Sequence, residues 1–288
     1  MIRSLHRSRA YNGLYALYMV AFYVYLFAPL AVVALMAFND SVFPSLPWQG
    51  FTLDWFLGQD SQRVGFFHDS GLIGSMVTSL QVAICVSFLA VGTGTMCAFL
   101  FEHEEFPLKK LLYFLMLVPL VIPGVILGIS ILSFSNTLSL LIEETTGIYV
   151  EGLGPGFWLV VLGQFSFIST LATLTISARL KKFDRTLEEA ALNLGANRFQ
   201  VIWRITLPFL RPSLISAAMV SFLMSFENFN TTLFLVGSEP TFPIMLYQEV
   251  RDGISPVINA SSVVLIAGTA LFALGVMALS RPRKELTT

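Results

Sequence analysis

The fold class is decided by the stretch from Ser70 to Phe101, which reads SGLIGSMVTSLQVAICVSFLAVGTGTMCAFLF. It contains no Asp, Glu, Lys or Arg, and it exceeds the ~20 residues that an α-helix needs to cross the hydrocarbon core of a bilayer. Because backbone groups in lipid must bond internally, only helices and closed barrels span membranes. Barrel strands alternate apolar and polar residues over about ten positions, so this continuous run predicts a membrane helix.

Five more stretches of this kind occur on either side of it. Four contain no acidic or basic residue: Ala10–Asn39, Leu111–Ile142, Gly152–Ala178 and Gly253–Ser280. The fifth, Pro212–Ser238, is interrupted only by Glu227. We therefore predict an all-α integral membrane protein with six transmembrane helices in a single domain, residues 1–288. The predicted helices cover approximately residues 14–38, 72–100, 110–136, 156–178, 213–236 and 259–280.

Composition supports this class. Only 12% of the residues are charged and 55% are hydrophobic, whereas soluble domains carry about 25% charged residues. A soluble fold of this length would have to expose large apolar patches. Composition therefore argues against a soluble protein.

The basic residues divide unevenly between the two sides that six helices define. Arg63 and Arg251 fall on one side, and the other Lys and Arg residues, of 17 in the chain, fall on the side of the two termini. Cytoplasmic segments of membrane proteins carry an excess of Lys and Arg. We therefore predict that both termini are cytoplasmic and that the chain is a multi-pass membrane protein.

Cysteine and histidine do not indicate a metal centre or a disulfide. Cys85 and Cys97 lie in one predicted helix, about 18 Å apart along its axis, which is too far for a bridge. His6, His68 and His103 are scattered over tails and loops. We expect no metal site.

The segment 181–210, which joins the fourth and fifth predicted helices, has the pattern of two short helices around a turn. Thr186 and Glu189 match a capping box, in which a hydroxyl and a carboxylate each satisfy a free amide at a helix start. Gly195 stands where a helix end favours a left-handed residue. Four apolar residues at helical spacing predict an apolar face on the first helix: Leu187, Ala190, Ala191 and Leu194.

The second short helix has a candidate cap of its own, formed by Asn197 with Gln200. Pro208 and Pro212 follow it and mark the approach to the fifth membrane helix. The pattern leaves two interpretations open. The hairpin is either an amphipathic element that lies on the bilayer surface, or a docking element for a cytoplasmic partner.

One string within the hairpin resembles the EAA motif of type I ABC importer permeases, which have the MetI-like fold. It consists of Glu189-Ala190-Ala191, Gly195, Ile205 and Leu207-Pro208, at the spacing of that family. The resemblance implies that the first short helix is a coupling helix, seated in a cleft of an ATP-binding subunit. The residues that it implies for ATPase coupling are Glu188, Glu189, Ala190, Ala191, Leu192, Gly195, Ile205, Leu207 and Pro208.

Three more segments are similar to the polyamine (spermidine/putrescine) permeases, in particular to the second of the two paired permeases. They are Phe38–Ser41, Trp48–Thr52 and Ser255–Ala260. The resemblance implies a heterodimer with a homologous permease, two ATP-binding subunits and a periplasmic solute-binding protein, in contact with membrane lipid and without nucleic acid.

The chain itself lacks the means to hydrolyse ATP. None of its lysines follows a glycine, so it has no G-x-x-x-x-G-K-[ST] phosphate-binding loop. We therefore expect a non-catalytic membrane subunit that binds no cofactor, with ATP and Mg bound by the partner subunits.

Glu227 is the one acidic residue within the predicted membrane helices. At 1.5 Å per residue it lies ~21 Å into the bilayer, and intramembrane carboxylates normally face a cavity or a partner. Phe226, Asn228 and Asn230 surround it with a π-face and polar groups, and Pro123 lies at a similar depth in the third predicted helix. These residues form either a passage wall that attracts a cation such as a polyamine, or a structural hydrogen bond with a companion permease.

The third predicted helix contains two further signals. Pro119 and Pro123 predict a kink, which either lines the passage or serves packing. Gly124 and Gly128 form a small-x-x-x-small pair, which predicts a contact between helices.

Two rival classes stay open at this point. An ion-coupled secondary transporter would use Glu227 as its ion site, but such folds show matched broken helices in two halves, and no second copy of the Pro119–Gly124 break is present. An intramembrane enzyme would need a nucleophile with a base, or metal ligands, within the spans. Within the ABC class, the solute is a polyamine or another small amine- or phosphonate-type compound.

Overall fold

The computed structural model describes residues 9–43, 46–60, 63–148, 150–253 and 255–279. Within these ranges the chain is predominantly helical. The α-helices are α1 (Arg9–Met36), α2 (Asp54–Leu57), α3 (Ser70–His103), α4 (Lys109–Val121), α5 (Gly124–Thr146), α6 (Phe157–Leu180), α7 (Thr186–Asn193), α8 (Arg198–Val201), α9 (Leu207–Phe226), α10 (Phe242–Asp252) and α11 (Pro256–Leu279). Strands β1 (Gln59–Asp60) and β2 (Arg63–Val64) form a small antiparallel hairpin.

Six helical segments of the described chain are long and apolar enough to cross a membrane, as predicted. They are α1, α3, α5, α6, α11 and the continuous helical segment Arg198–Phe226 that contains α8 and α9. The number of spans is therefore confirmed, and four of the six predicted ranges agree with the observed bounds to within a few residues. The other two ranges need correction. The expectation of one domain over residues 1–288 stays a prediction.

The predicted helix 110–136 is two helices, and the predicted range ends too early. α4 ends at Val121 and α5 begins at Gly124, because Pro123 has no N–H to donate and forces Ile122 out of the helical region, to ψ 130°. Pro119 is accommodated inside α4. α5 then continues to Thr146 and includes two glutamates near its end.

The predicted helix 213–236 is wrong at both ends. Upstream, α8 runs into α9 through a π-helical turn, Ile202–Thr206, in which the Leu207 N–H donates to the carbonyl of Ile202. This wider turn directly precedes Pro208, which itself lacks a donor. Downstream, the helix ends at Phe226. The segment between the fifth and sixth predicted helices, for which no helix was predicted, contains α10.

One compact unit comprises Ser70–Gln248 and the chain from Thr269 onward. α3, α6 and α9 form its core, where the largest fully buried side chains include Val82, Val86, Ile168, Ile176 and Leu210. Small residues let these helices approach closely, because a Cβ at Gly94 would lie 2.9 Å from the Thr173 backbone nitrogen. This three-helix core holds the two ends of α9 at which the candidate sites lie.

The other unit comprises the chain up to Asp69 together with Glu249–Gly268. Its α1 has no buried residue in its apolar span, as expected of a helix that faces lipid or another membrane helix. After α1 the chain is held by Asn39, whose carbonyl accepts a 2.8 Å hydrogen bond from the Trp55 indole. Asp40 pairs with Arg63 at 2.6 Å. The Phe38–Ser41 motif is therefore part of the packing of this unit.

Candidate functional site

The hairpin around Gly195 has the predicted helix–turn–helix form. Gly195 adopts φ +90°, in the left-handed region, where a side chain would be strained. The Gly195 N–H donates to the Leu192 carbonyl at 2.9 Å, and the Ala196 N–H donates to the Ala191 carbonyl at 3.1 Å. These bonds satisfy carbonyls at the end of α7 and turn the chain sharply.

Of the two predicted capping boxes in the hairpin, one is confirmed and the other is wrong. Asn197 and Gln200 form the predicted capping box, with bonds of 2.8 and 3.0 Å. The predicted box of Thr186 with Glu189 is wrong, because Asp184 takes that role. Its carboxylate accepts hydrogen bonds from the Thr186 hydroxyl at 2.8 Å and from the Thr186 amide at 3.0 Å. These bonds lower the pKa of the Asp184 carboxyl.

The apolar face of α7 does not pack against its own chain. Leu187 is 52% exposed and Leu194 is 89% exposed. Of the residues that the resemblance assigned to coupling, five are exposed: Glu189, Ala190, Leu192, Gly195 and Pro208. The other four, Glu188, Ala191, Ile205 and Leu207, are half-buried. The hairpin therefore presents a mixed apolar and acidic surface.

Besides an ion pair of Lys181 Nζ with Glu102 Oε1 at 3.5 Å, two side-chain hydrogen bonds that the sequence did not reveal hold this hairpin to the membrane helices. The Arg185 guanidinium donates to the carbonyl of Glu102, near the end of α3. The Thr206 hydroxyl donates to Glu188 Oε1 at 2.5 Å. A cavity of about 460 Å³ lies beside this second contact and is lined by His103, Glu188, Arg198 and several apolar residues.

The second candidate site lies where α9 ends. Glu227 is the residue that follows the helix, so its predicted place inside a helix is wrong. Its N–H still donates to the Leu223 carbonyl at 3.1 Å, and it is exposed. Within the described residues, no hydrogen bond or ion pair involves the Glu227 carboxylate. Phe226 is half-buried and stacks on Phe222, with ring centroids 5.9 Å apart.

A buried polar network explains why α9 can end there. Gln164 of α6 has no exposed surface, and sequence reasoning missed it because an amide in a long apolar run has no local signature. Its Nε2 donates to the Thr232 hydroxyl at 2.8 Å, and its Oε1 accepts from the Ser225 hydroxyl. The Thr232 hydroxyl in turn donates to Asn228 Oδ1 at 3.0 Å. The amide thus bridges the last turn of α9 and the turn beyond Glu227.

The start of α5 packs against this same turn. A Cβ at Gly124 would lie 3.0 Å from Thr231 Oγ1 and 3.1 Å from the Asn230 Cβ, and a Cβ at Gly128 would lie 2.6 Å from the Thr231 carbonyl oxygen. The predicted glycine contact therefore exists, but its partner is a turn and not a helix. Since Pro123 precedes Gly124, the structure brings the α4–α5 break and the Asn230 turn together.

Comparison with known proteins decides the family. Residues 90–281, which include both sites, match the family described as binding-protein-dependent transport system inner membrane component. The chain belongs to this family. It is thus a permease subunit of an ABC importer and a multi-pass protein of the bacterial inner membrane.

Three curated relatives of the permease are named for the solute of their transport system. It is 26% identical to the spermidine/putrescine transport system permease protein PotC of Escherichia coli K12, over 94% of this chain and 95% of PotC. It is 28% identical to the putrescine permease PotI of the same strain, over 86% and 84% of the two chains. It is 27% identical to the putative 2-aminoethylphosphonate permease PhnV of Salmonella paratyphi A, over 97% of each.

Solved structures give the fold of the permease. A bacterial ABC transporter that imports alginate superposes with a TM-score of 0.76 at 17% identity, over 96% of each chain. The MetNI methionine ABC transporter superposes with a TM-score of 0.58 at 16% identity, over 73% of this chain and 95% of the other. The MetI-like fold and the predicted family resemblance are both confirmed. Because the chain belongs to an ABC importer family, the comparison also argues against the alternative class, an ion-coupled secondary transporter.

Proposed function

We propose that the permease forms part of the translocation path for a polyamine-like organic cation, with both termini in the cytoplasm. The observation that carries this proposal is the exposed carboxylate of Glu227, which has no ion pair or hydrogen bond within the described residues. A carboxylate at the end of an apolar membrane span is costly unless it faces water or a cation. Its neighbours Asn228 and Asn230 add polar groups to the same turn.

The relatives support an amine as the solute. PotC and PotI carry spermidine or putrescine in their names, whereas PhnV is named for 2-aminoethylphosphonate. All three of these solutes carry an amino group, but the phosphonate also carries negative charge, which a lone carboxylate would repel. Glu227 therefore favours the polyamine, and a phosphonate-type solute is the second candidate.

We propose the partners that such an importer needs. A homologous permease completes a heterodimer, two ATP-binding subunits bind ATP and Mg, and a periplasmic protein delivers the solute. The alginate transporter has been solved with a periplasmic protein that carries a pentasaccharide, which supports the last of these. The permease itself binds no cofactor in this assignment.

The hairpin around Gly195 is proposed to dock on an ATP-binding subunit. Its exposed apolar residues, Leu187 and Leu194, need a partner surface, and the EAA motif lies on the same hairpin. Gly195→Val would force a β-branched residue into the left-handed region, whereas Gly195→Asn places there a residue that tolerates this conformation. Since a Cβ at this position meets nothing within 4 Å, the difference would report the turn alone.

Uptake of radiolabelled putrescine into proteoliposomes with the assembled transporter tests both parts. Gly195→Val should abolish ATP-driven uptake, whereas Gly195→Asn should retain uptake close to the wild-type level. Equal uptake by the two variants would contradict the docking role.

For the passage, Glu227→Gln should lower putrescine uptake about tenfold or more, the effect of removing roughly 1.4 kcal/mol of attraction. Glu227→Asp keeps the charge and should retain most of the uptake. Unchanged uptake in Glu227→Gln, with normal assembly, would reject the proposed passage.

A further inference from the structure

The contact between Glu188 and Thr206 has a mechanical consequence. We propose that Glu188 is a positioning residue that fastens α7 to the helical segment leading into α9, so that a displacement of the hairpin is passed to the helix that ends at Glu227. This inference rests on the proposed function, because it requires an ATP-binding subunit to move α7. It assigns a role to a residue that lies just outside the EAA string.

The hydrogen bond between Glu188 and Thr206 has the properties of a strong interaction. Glu188 Oε1 and Thr206 Oγ1 are 2.5 Å apart, and hydrogen bonds to an ionised group are shorter and stronger than neutral ones. Thr206 has no exposed surface, and Glu188 is half-buried. Water therefore competes little for the Thr206 hydroxyl.

The direction of the Thr206 hydroxyl is unusual for this chain. A threonine within a helix commonly donates to the carbonyl one turn back. The membrane helices follow this rule repeatedly, at Thr78, Thr95, Thr137, Thr173 and Thr175. Thr206 instead donates across the hairpin to a residue 18 positions earlier. Thr170 of α6 also departs from the rule, since it donates to the Met116 carbonyl of α4. Thr206 differs from Thr170 in that it lies in the π-helical turn, where regular helical geometry is already interrupted.

Few other contacts could replace this one. Within the described residues, the bond from Thr206 is the only side-chain hydrogen bond recorded between α7 and the segment Arg198–Phe226. Arg185 binds the Glu102 carbonyl just before α7 begins, which holds the hairpin to α3. Just before α7, Phe183 packs on Phe209 of α9, with ring centroids 5.1 Å apart. The bond from Thr206 thus links α7 itself to the segment that continues into α9, in addition to the chain that passes through Gly195 and α8.

The far end of the connected helix is the candidate passage. α9 has 20 residues, about 30 Å at 1.5 Å per residue, and it packs along its length against α3 and α6. A helix held in this way moves as a rod, so a shift at Thr206 reaches Glu227 with little loss.

Paired substitutions test the fastening in the assembled transporter. Glu188→Ala and Thr206→Val each remove the bond, Thr206→Ser keeps the hydroxyl, and Asn193→Ala is a control for a change at an exposed position of α7. Putrescine transported per ATP hydrolysed should fall about tenfold in the first two variants, since a hydrogen bond to a charged group contributes on that scale. Assembly and ATP hydrolysis should persist in Thr206→Val, and the double variant should be no worse than either single one.

Two results would overturn the inference. One is an unchanged ratio of transport to hydrolysis in both Glu188→Ala and Thr206→Val. The other is loss of the ATP-binding subunits from Glu188→Ala, which would place Glu188 in the docking surface and not in the fastening.

A solute-independent measurement separates this inference from the choice of solute. Spin labels at Asn193→Cys and Ser238→Cys, with Cys85 and Cys97 replaced by serine, report the distance from the hairpin to the segment beyond α9. Because α7 and α9 would move together, ATP should leave this distance unchanged in the otherwise wild-type protein and change it after Glu188→Ala. This pattern without putrescine uptake would reject only the polyamine, and the same response to ATP in both proteins would reject the fastening.

Discussion

Gly128→Ala should loosen the packing of α5 on the turn that follows Glu227. The added Cβ would lie 2.6 Å from the Thr231 carbonyl oxygen and 3.4 Å from the Thr231 Cα, and backbone atoms cannot rotate away as a flexible side chain can. Overpacking of this kind costs about 1–3 kcal/mol. Alanine regains at most ~1 kcal/mol through its higher helix propensity. The net expectation is a loss of about 1–2 kcal/mol and a turn displaced by several tenths of an ångström.

Gly92→Ala is the matched control, because Gly92 also lies within a membrane helix and its Cβ would meet nothing within 4 Å. We expect this variant to be neutral or up to ~1 kcal/mol more stable. Thermal unfolding of the purified transporter in detergent, followed by tryptophan fluorescence, should show a melting temperature lower by a few degrees for Gly128→Ala only. Putrescine uptake should fall with it. Equal melting temperatures and equal uptake for both variants would show that the tight contact does not constrain the turn.

Three further outcomes follow from the same geometry. Gln164→Leu should destabilise the permease by about 1–2 kcal/mol, since buried hydrogen bonds between membrane helices contribute ~0.6 kcal/mol each on average and up to ~1.7; an unchanged melting temperature would contradict this. Asn197→Ala should cost about 1 kcal/mol and speed amide hydrogen exchange in α8, whereas Asn193→Ala should not. The hydrogen bonds that the Asp184 carboxylate accepts from Thr186 lower the pKa of Asp184 below its usual range, so they stabilise the start of α7 above the pKa of the unfolded chain and are lost as the pH falls through the lowered pKa. Exchange of the α7 amides, corrected for intrinsic rates, should accelerate there, and Asp184→Asn should remove the pH dependence.

Hydropathy predicts the membrane spans well because the bilayer imposes one length and one polarity on each of them. Hydropathy does not predict the end of a membrane helix when apolar residues continue beyond that end. α9 stops at Phe226 although apolar residues continue beyond it, and side-chain hydrogen bonds from Gln164 to Thr232 and from Thr232 to Asn228 hold the turn that follows. A window average of hydrophobicity does not register partners that lie on another helix.

Local signals succeed when all the groups they need lie within a few residues. Asn197 and Gln200 fulfil the capping box because no competing acceptor precedes them. Thr186 had the same pattern with Glu189, but the Thr186 amide donates to the Asp184 carboxylate. Periodicity predicts that α7 has an apolar face, yet it cannot tell whether the chain or a partner covers that face.

Contacts across long sequence separations were beyond prediction for a different reason. Glu188 with Thr206 and Gln164 with Thr232 are joined by the packing of α7, α6 and α9, which no local pattern specifies. Each of these residues has an ordinary local explanation, as a helical glutamate or an apolar-span amide. Only the fold makes them partners.

Two polar residues near the end of α9, Gln164 of α6 and Glu227, differ in whether the chain itself satisfies their polar groups. Gln164 is fully buried and its amide is hydrogen-bonded at both atoms, so the chain itself compensates for placing it in the membrane. Glu227 is exposed, and its carboxylate has no such compensation within the described residues. A charge in that position needs water or a cation from outside the chain. A solute-filled passage supplies both, which is why we assign the passage to Glu227 and the support of the turn to Gln164.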